Sequence, residues 1–284
     1  MVRRRKVRLS PIWMPVIRTG LAKGMKRNLK ETSNQWTGYE RQLASAWDAS
    51  DSLAVAPMWW VSRDMTKLAV DTATTGQFPH AKTPSPTGFI VFDGGIPLDA
   101  GSGEEIPAVD ALLWVSRGSS IDENGDERQR IDTILLTRDP ETVRKGNTPD
   151  IPLAHLQLPQ TSLALPTRFG DILSAVWALS SAPRVAQVRE PIPSSMDRMP
   201  RPAYLPANRV RMIVLRENLT RPGSAEKTNS NVEWTHRWIV RGFYRNQPYG
   251  ENHSRRRKQW IPPYVKGPAG LPLIDKPTVK IWRR

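Results

Sequence analysis

ALLWVSRGSSIDENGDERQRIDTILLTR, Ala111–Arg138, sets two runs rich in strand-forming residues on either side of an Asn124-Gly125 pair. Asn-Gly supplies the positive φ angles of a tight turn whose twist matches two antiparallel strands, so the stretch predicts a β-hairpin with the acidic IDENGDE at its tip. A calcium loop is the competing reading, but the DxDxDG spacing and the closing glutamate are missing. Working outward, GFIVFDGG, Gly88–Gly95, is a short apolar run between Pro86 and a diglycine turn, the pattern of a buried strand. VRMIVLREN, Val210–Asn218, starts with another, and MWWVSRDMTKLAV, Met58–Val70, reads as a strand or the start of a hairpin. Helical spacing is visible in two places. Leu29, Trp36, Leu43 and Trp47 recur at sevens and fours over Asn28–Ala49, interrupted by Gly38. After Pro166, TRFGDILSAVWALSSA aligns Phe169, Ile172, Leu173, Val176 and Leu179 on one face. Strands cluster and helices are few, which predicts an α+β chain with mixed or antiparallel sheets.

The 284 residues hold enough chain to bury a core without disulfides, and there are no cysteines. Thiolate zinc sites, iron–sulfur clusters and cysteine nucleophiles are thereby excluded. The four histidines, His80, His155, His236 and His253, stand far apart with no HxH or HExxH spacing, so neither a metal nor a cofactor is expected. DGGIPLDAGSG matches no phosphate-cradling loop, and no serine sits in a GxSxG context. No apolar run reaches the length of a membrane-spanning helix, and Pro11, Pro15 and Arg18 interrupt the apolar patch after the basic start; the expectation is a cytoplasmic protein with no membrane partner.

Charge divides the chain. The formal net charge is +15, yet residues 1–30 carry ten Lys/Arg and no Asp/Glu, residues 231–284 carry twelve against three, and the middle is mildly acidic. Clustered cations displace counterions from phosphates, so this distribution points to a polyanion; a solubilising tail plus a basic face is the plain alternative. Three regions follow: a basic flexible arm over 1–30, with Arg3 to Arg8 adding nonspecific contact; an α+β region over 31–150; and a C-terminal α+β region over 151–284, begun by the proline-bearing connection Pro140–Leu153. REPIPSSMDRMPRPAYLPANR reads as an extended surface crossing.

VEWTHRWIVRGFYRNQ, Val232–Gln247, concentrates the functional question. As one strand, it puts Val232, Trp234, His236, Trp238, Val240, Gly242 and Tyr244 on a core-facing side. Glu233, Thr235, Arg237, Ile239, Arg241, Phe243 and Arg245 then face solvent or a partner. Arginine forks suit phosphates and aromatic faces suit bases. SRRRKQW and IPPYVKGP continue the theme, giving a predicted nucleic-acid surface of Arg237, Arg241, Phe243, Arg245, Arg255, Arg256, Arg257, Lys258, Trp260, Tyr264 and Lys266. His236 is either a structural residue shared with the tryptophans or a general base, and a bulge would swing it to the other side. A metal-independent, toxin-like ribonuclease is the enzymatic alternative. His236, His253 or Glu233 would serve as base, Tyr264 as a further proton-transfer group, and Arg237, Arg241 or Lys266 would stabilise the phosphorane. A third reading is a structural protein whose basic ends contact an acidic partner.

WTHRWIVRGFYRNQPYG, RKQWIPPYVKGP, PLI and VKIWRR together resemble a C-terminal module that recurs in actinobacterial chromosomal, plasmid and phage proteins, a family without an assigned activity. ALPTRFGDILSAVWALSSAPRVAQV extends the resemblance upstream, to roughly Leu165–Arg284. Phe243 stands where that pattern has a histidine. The resemblance implies a phage or mobile-element setting inside the cell and implies no enzyme.

Overall fold

The structure is a computed structural model that describes residues 8–36, 40–98, 106–121, 125, 127–146, 151–157, 165–192, 209–216 and 235–274. Five α-helices and eleven strands occur among them, and the fold is α+β around a mixed seven-stranded sheet. The helices are α1 (Met14–Glu31), α2 (Glu40–Val55), α3 (Arg63–Thr75), α4 (Pro140–Lys145) and α5 (Leu165–Ser180). The strands of the main sheet are β1 (Met58–Val61), β2 (Thr87–Ile96), β3 (Val109–Ile121), β4 (Glu127–Thr137), β5 (Ala154–His155), β6 (Ala186–Arg189) and β7 (Val210–Leu215). Their spatial order is β5-β4-β3-β2-β1-β7-β6.

β1 is parallel to both its neighbours, β2 and β7, and every other pairing in this sheet is antiparallel. A parallel neighbour needs a crossover, and α3 supplies it between β1 and β2. MWWVSRDMTKLAV is therefore not one strand or a hairpin. Four strand residues stop at Val61, and a helix begins after Ser62.

Both faces of the sheet are covered, which explains why β1 and the centre of β2 are apolar at consecutive positions. Trp59, Val61, Ile90, Phe92, Leu112 and Trp114 face α3 and α5. Their chain neighbours Met58, Trp60, Phe89, Val91, Ala111 and Leu113 face α1 and α2. Trp59, Trp114 and Trp177 meet with ring centroids 5.2–5.7 Å apart. Trp114 lies across Gly88, its cross-strand partner, and donates from Nε1 to the Ser85 carbonyl. A Cβ on Gly88 would stand 2.1 Å from the Trp114 ring, so only glycine admits the indole there.

The hairpin expected from Asn124-Gly125 is present as β3 and β4, paired from Ala111↔Leu136 to Ile121↔Glu127. Gly125 has φ +83°, and Asn124 lies outside the described residues. The expected strands at Gly88–Gly95 and from Val210 are β2 and β7, but Gly94-Gly95 does not end the strand in a turn: β2 runs on to Ile96, with its register to β3 shifting between Val91 and Ile96. The helix expected after Pro166 is α5, with Phe169, Ile172, Leu173, Val176 and Leu179 all buried. The helix expected over Asn28–Ala49 is instead the end of α1, a short 3-10 turn at Ser33–Trp36 and most of α2.

The basic arm expected over 1–30 is not an arm from Pro11 onward. Residues Met14–Glu31 form α1, with Met14, Ile17, Leu21 and Ala22 in the core. Pro11 and Pro15 sit in the opening turns of their helical segments, where a missing N–H breaks no internal hydrogen bond. Arg3 to Lys6 lie outside the described residues. The main sheet also runs across the boundary placed at 150, since β5, β6 and β7 belong to it. No described helix is long and apolar enough to cross a membrane.

Candidate nucleic-acid interface

After β7 the described chain resumes at Thr235 and forms four more strands: β8 (Trp238–Val240), β9 (Phe243–Tyr249), β10 (Arg255–Ile261) and β11 (Tyr264–Lys266). β8 pairs with β11 and β9 with β10, both antiparallel. One register runs through both pairs, from Trp238↔Lys266 to Tyr249↔Arg255. The four strands are thus a single ribbon interrupted where Arg241-Gly242 faces Pro262-Pro263. Proline donates no ladder hydrogen bond, and the chains cross so closely that a Cβ on Gly242 would meet Pro263 Cδ at 2.8 Å and the Ile261 carbonyl at 2.9 Å.

The interruption turns the ribbon over. Below it Ile239 packs on the core and Arg241 reaches Asp71 of α3. Above it the residue packed on the core is Trp260, which belongs to the opposite alternation set. A continuous strand over Val232–Gln247, with arginines outward and indoles inward, is therefore not what forms. In the lower half the arginine side faces the protein.

This lower half is docked on α3. Arg237, 13% exposed, donates from one terminal nitrogen to Asp64 Oδ2 at 2.6 Å and from Nε to the Leu271 carbonyl at 2.6 Å. Its backbone is held between Pro272 and Ile274. Lys67 donates to the Leu273 carbonyl, Arg241 stands 3.6 Å from Asp71, and the Trp260 Nε1–H donates to the Gln77 carbonyl. Asp64 and Asp71 are seven residues apart, hence two turns apart on one side of α3, with Lys67 between them. Hydrogen bonds to charged groups in partly buried sites stabilise by about 1.5–3 kcal/mol each. Arg237 consequently anchors the ribbon, whereas Arg241 adds a longer ion pair to Asp71 and keeps about half of its side chain in solvent.

The upper half is different. Every residue of Phe243–Asn246 and Arg255–Lys258 is exposed. Arg245, Arg255, Arg256, Arg257 and Lys258 pair with no carboxylate among the described residues, and Glu251 at the tip is the ribbon's one acidic side chain there. The cations stack instead on neighbouring rings, Arg257 over Tyr249 at 5.7 Å and Lys258 over Tyr244 at 4.6 Å. Arg245 donates to Gln247 on the same strand face. Phe243 is 49% and Tyr249 40% exposed. Tyr264 and Lys266 lie exposed on β11, with the Lys266 ammonium 6.0 Å from the Trp238 ring.

The residues proposed for ribonuclease chemistry are brought near one another only in part. Strand alternation puts His236, Tyr264 and Lys266 on the same side of the lower ribbon, but no hydrogen bond among the described residues joins them. His236 Nδ1 is 3.1 Å from Thr235 Oγ1. Arg237 is committed to Asp64, His253 sits in the tip turn with φ +56°, and Glu233 lies outside the described residues. Asp110 is the buried carboxylate of the sheet, and burial pushes its carboxyl above the usual range while Arg138 opposes the shift. Arg138 occupies both Asp110 oxygens, through its Nε and its backbone N–H, so the group is a structural tie. No group of three or more His, Asp or Glu suited to a metal occurs among the described residues.

Sequence reasoning misses Asp64, Lys67, Asp71 and Gln77 because Met58–Val70 reads as a strand or the start of a hairpin, and along a strand positions 64 and 71 fall on opposite faces. Helical spacing was the signal that unites them.

No family model matches the chain, and no curated protein does. Among solved structures, "Crystal structure of AcrVA2" aligns over 85% of this chain and 83% of its own, with 8% identity and a TM-score of 0.34. A similarity of that size carries no argument about function.

Proposed function

We propose that the protein binds nucleic acid through the upper half of its C-terminal ribbon. Arg245, Arg255, Arg256, Arg257 and Lys258 contact phosphates, while Phe243 and Tyr249 offer exposed rings for contact with bases or sugars. Arg237 belongs to the anchor and leaves the contact set; Arg241, ion-paired with Asp71 yet half exposed, stands at the edge of the surface, and Trp260 fixes the base of the ribbon. Tyr264 and Lys266 extend the surface along β11.

The observation that carries this reading is the division among the ribbon's cations. Two of them are met by carboxylates supplied by α3, and five on the upper strands are met by none among the described residues. Unneutralised guanidinium groups packed this closely repel one another, and a polyanion removes that cost. Neutralising about five phosphates makes log K fall with log salt at a slope of roughly −4.5 on duplex DNA. The test is fluorescence anisotropy with labelled DNA and RNA oligonucleotides at 50 and 200 mM salt. Affinity falling by roughly two to three orders of magnitude across that range supports the proposal. Salt-independent affinity, or no binding at 50 mM, refutes it.

A further inference from the structure

The upper ribbon has a shape as well as a charge, and the shape selects among nucleic acids. Seven residues in each strand give it a length of roughly 20 Å. Its distal half is exposed on both sides except at the half-buried Gln247 and Pro248, so it is a projecting element two strands wide. Single strands are held in grooves that track the backbone, and a projecting ribbon supplies none. The major groove of an A-form RNA duplex is too deep and narrow to admit side chains for reading. The major groove of B-form DNA, about 12 Å wide, accepts a two-stranded ribbon.

The two sides of the ribbon are unequal. Trp260 points to the protein body, and its alternation set includes Tyr244, Asn246, Arg256 and Lys258. The opposite set is Phe243, Arg245, Gln247, Tyr249, Arg255, Arg257, Gln259 and Ile261, turned from the body at the ribbon's base. That outward side combines three exposed guanidinium forks with two half-buried carboxamides, of which Gln247 accepts from Arg245 and donates to the Pro248 carbonyl and exchanges those bonds when it meets a base. These are the groups whose geometry matches base edges in the major groove, Arg with guanine O6 and N7 and Gln with adenine N6 and N7.

We infer that the partner is duplex DNA, and that the outward side of β9–β10, led by Arg245, Gln247, Arg255, Arg257 and Gln259, enters its major groove. Arg256 and Lys258, leaving the other side, are placed for phosphates at the groove rims. The inference rests on the nucleic-acid reading above and narrows it to one polymer and one groove.

The test titrates the full chain onto one mixed-sequence duplex carrying either methyl green, which occupies the major groove, or netropsin, which occupies the minor groove. Unlabelled competitors are the DNA duplex, its single strands and the RNA duplex of the same sequence. Release of methyl green with netropsin retained, and at least tenfold weaker competition by RNA duplex and by single strands, is the expected result. Release of netropsin with methyl green retained overturns the groove assignment. Equal competition by RNA duplex or single strands overturns the choice of polymer, in both cases with nucleic-acid binding intact. Failure to bind any of them removes the underlying reading as well. Gln247→Ala with Gln259→Ala should compress the spread of affinities across a panel of duplex sequences at least threefold without changing the salt dependence. An unaltered spread counts against base reading by this side. Lys23→Ala with Arg27→Ala, on the exposed side of α1, removes two charges elsewhere and should leave duplex affinity within threefold; a tenfold loss would mean that bulk charge, not the ribbon, does the binding.

Discussion

The central sheet and the C-terminal ribbon use the same residue types to opposite ends. In the sheet, Trp59, Trp114 and Trp177 close on one another beneath two helices, and Phe89 and Phe92 are fully buried on opposite faces. In the ribbon, Phe243, Tyr244 and Tyr249 stand in solvent, because two strands have no second layer to cover them. Aromatic residues alone therefore identify neither a core nor a surface; the number of packed layers decides. The same holds for arginine. Below Gly242 the ribbon's guanidinium groups meet the carboxylates of α3, and above it they meet rings and amides and no carboxylate among the described residues.

This contrast can be broken experimentally at several points. The largest effect belongs to the sheet. Trp114→Ala removes a fully buried indole from the tryptophan cluster and should cost about 4 kcal/mol, read as a lowered denaturant midpoint. A loss below about 1 kcal/mol would mean that the cluster is not the centre of the core. Next comes the anchor. Asp64→Ala leaves Arg237 partly buried without its carboxylate and should cost about 2 kcal/mol. Amide hydrogen exchange should speed up over 235–274 while β1 and β2 stay protected. A double-mutant cycle with Arg237→Ala should show positive coupling, and strict additivity would deny the contact. Gly242→Ala forces Pro263 and the Ile261 carbonyl apart and should cost about 1–2 kcal/mol, with faster proteolysis within the ribbon as the check. The smallest effect on stability belongs to the tip. Replacing Arg255, Arg256 and Arg257 together by alanine should change the unfolding free energy by less than about 0.5 kcal/mol while weakening DNA binding.

The sequence was legible wherever one periodicity held over a whole element. The apolar run of β2, the β3–β4 hairpin and the apolar stripe of α5 are each explained by a single pattern. It failed where two periodicities abut or where a local rule admits an exception. At Met58–Val70 a four-residue strand gives way to a helix within one residue, so a window across both shows neither period cleanly. In α1, prolines and glycines suggested an irregular arm; yet the prolines occupy opening turns, and Gly20 lies where a Cβ would stand 2.3 Å from Ile151 Cδ1, so it marks close packing. Around the candidate site, alternation identified which ribbon residues share a face in each half. It carried no information about the turn at Arg241-Gly242 and Pro262-Pro263 that exchanges the faces, nor about Asp64 and Asp71, which come from a distant part of the chain. That is why alternation alone puts Arg237 on the binding surface while the structure ties it to Asp64.

The account rests on the five upper cations being the ones that meet phosphate. The direct measurement is the salt dependence of duplex DNA affinity for the unaltered protein and for Arg255→Ala/Arg256→Ala/Arg257→Ala. The predicted log–log slope is roughly −4.5 for the first, falling to roughly −1.8 for the second as three phosphate contacts are lost. An identical slope for the two proteins would contradict the assignment of the polyanion site to the ribbon.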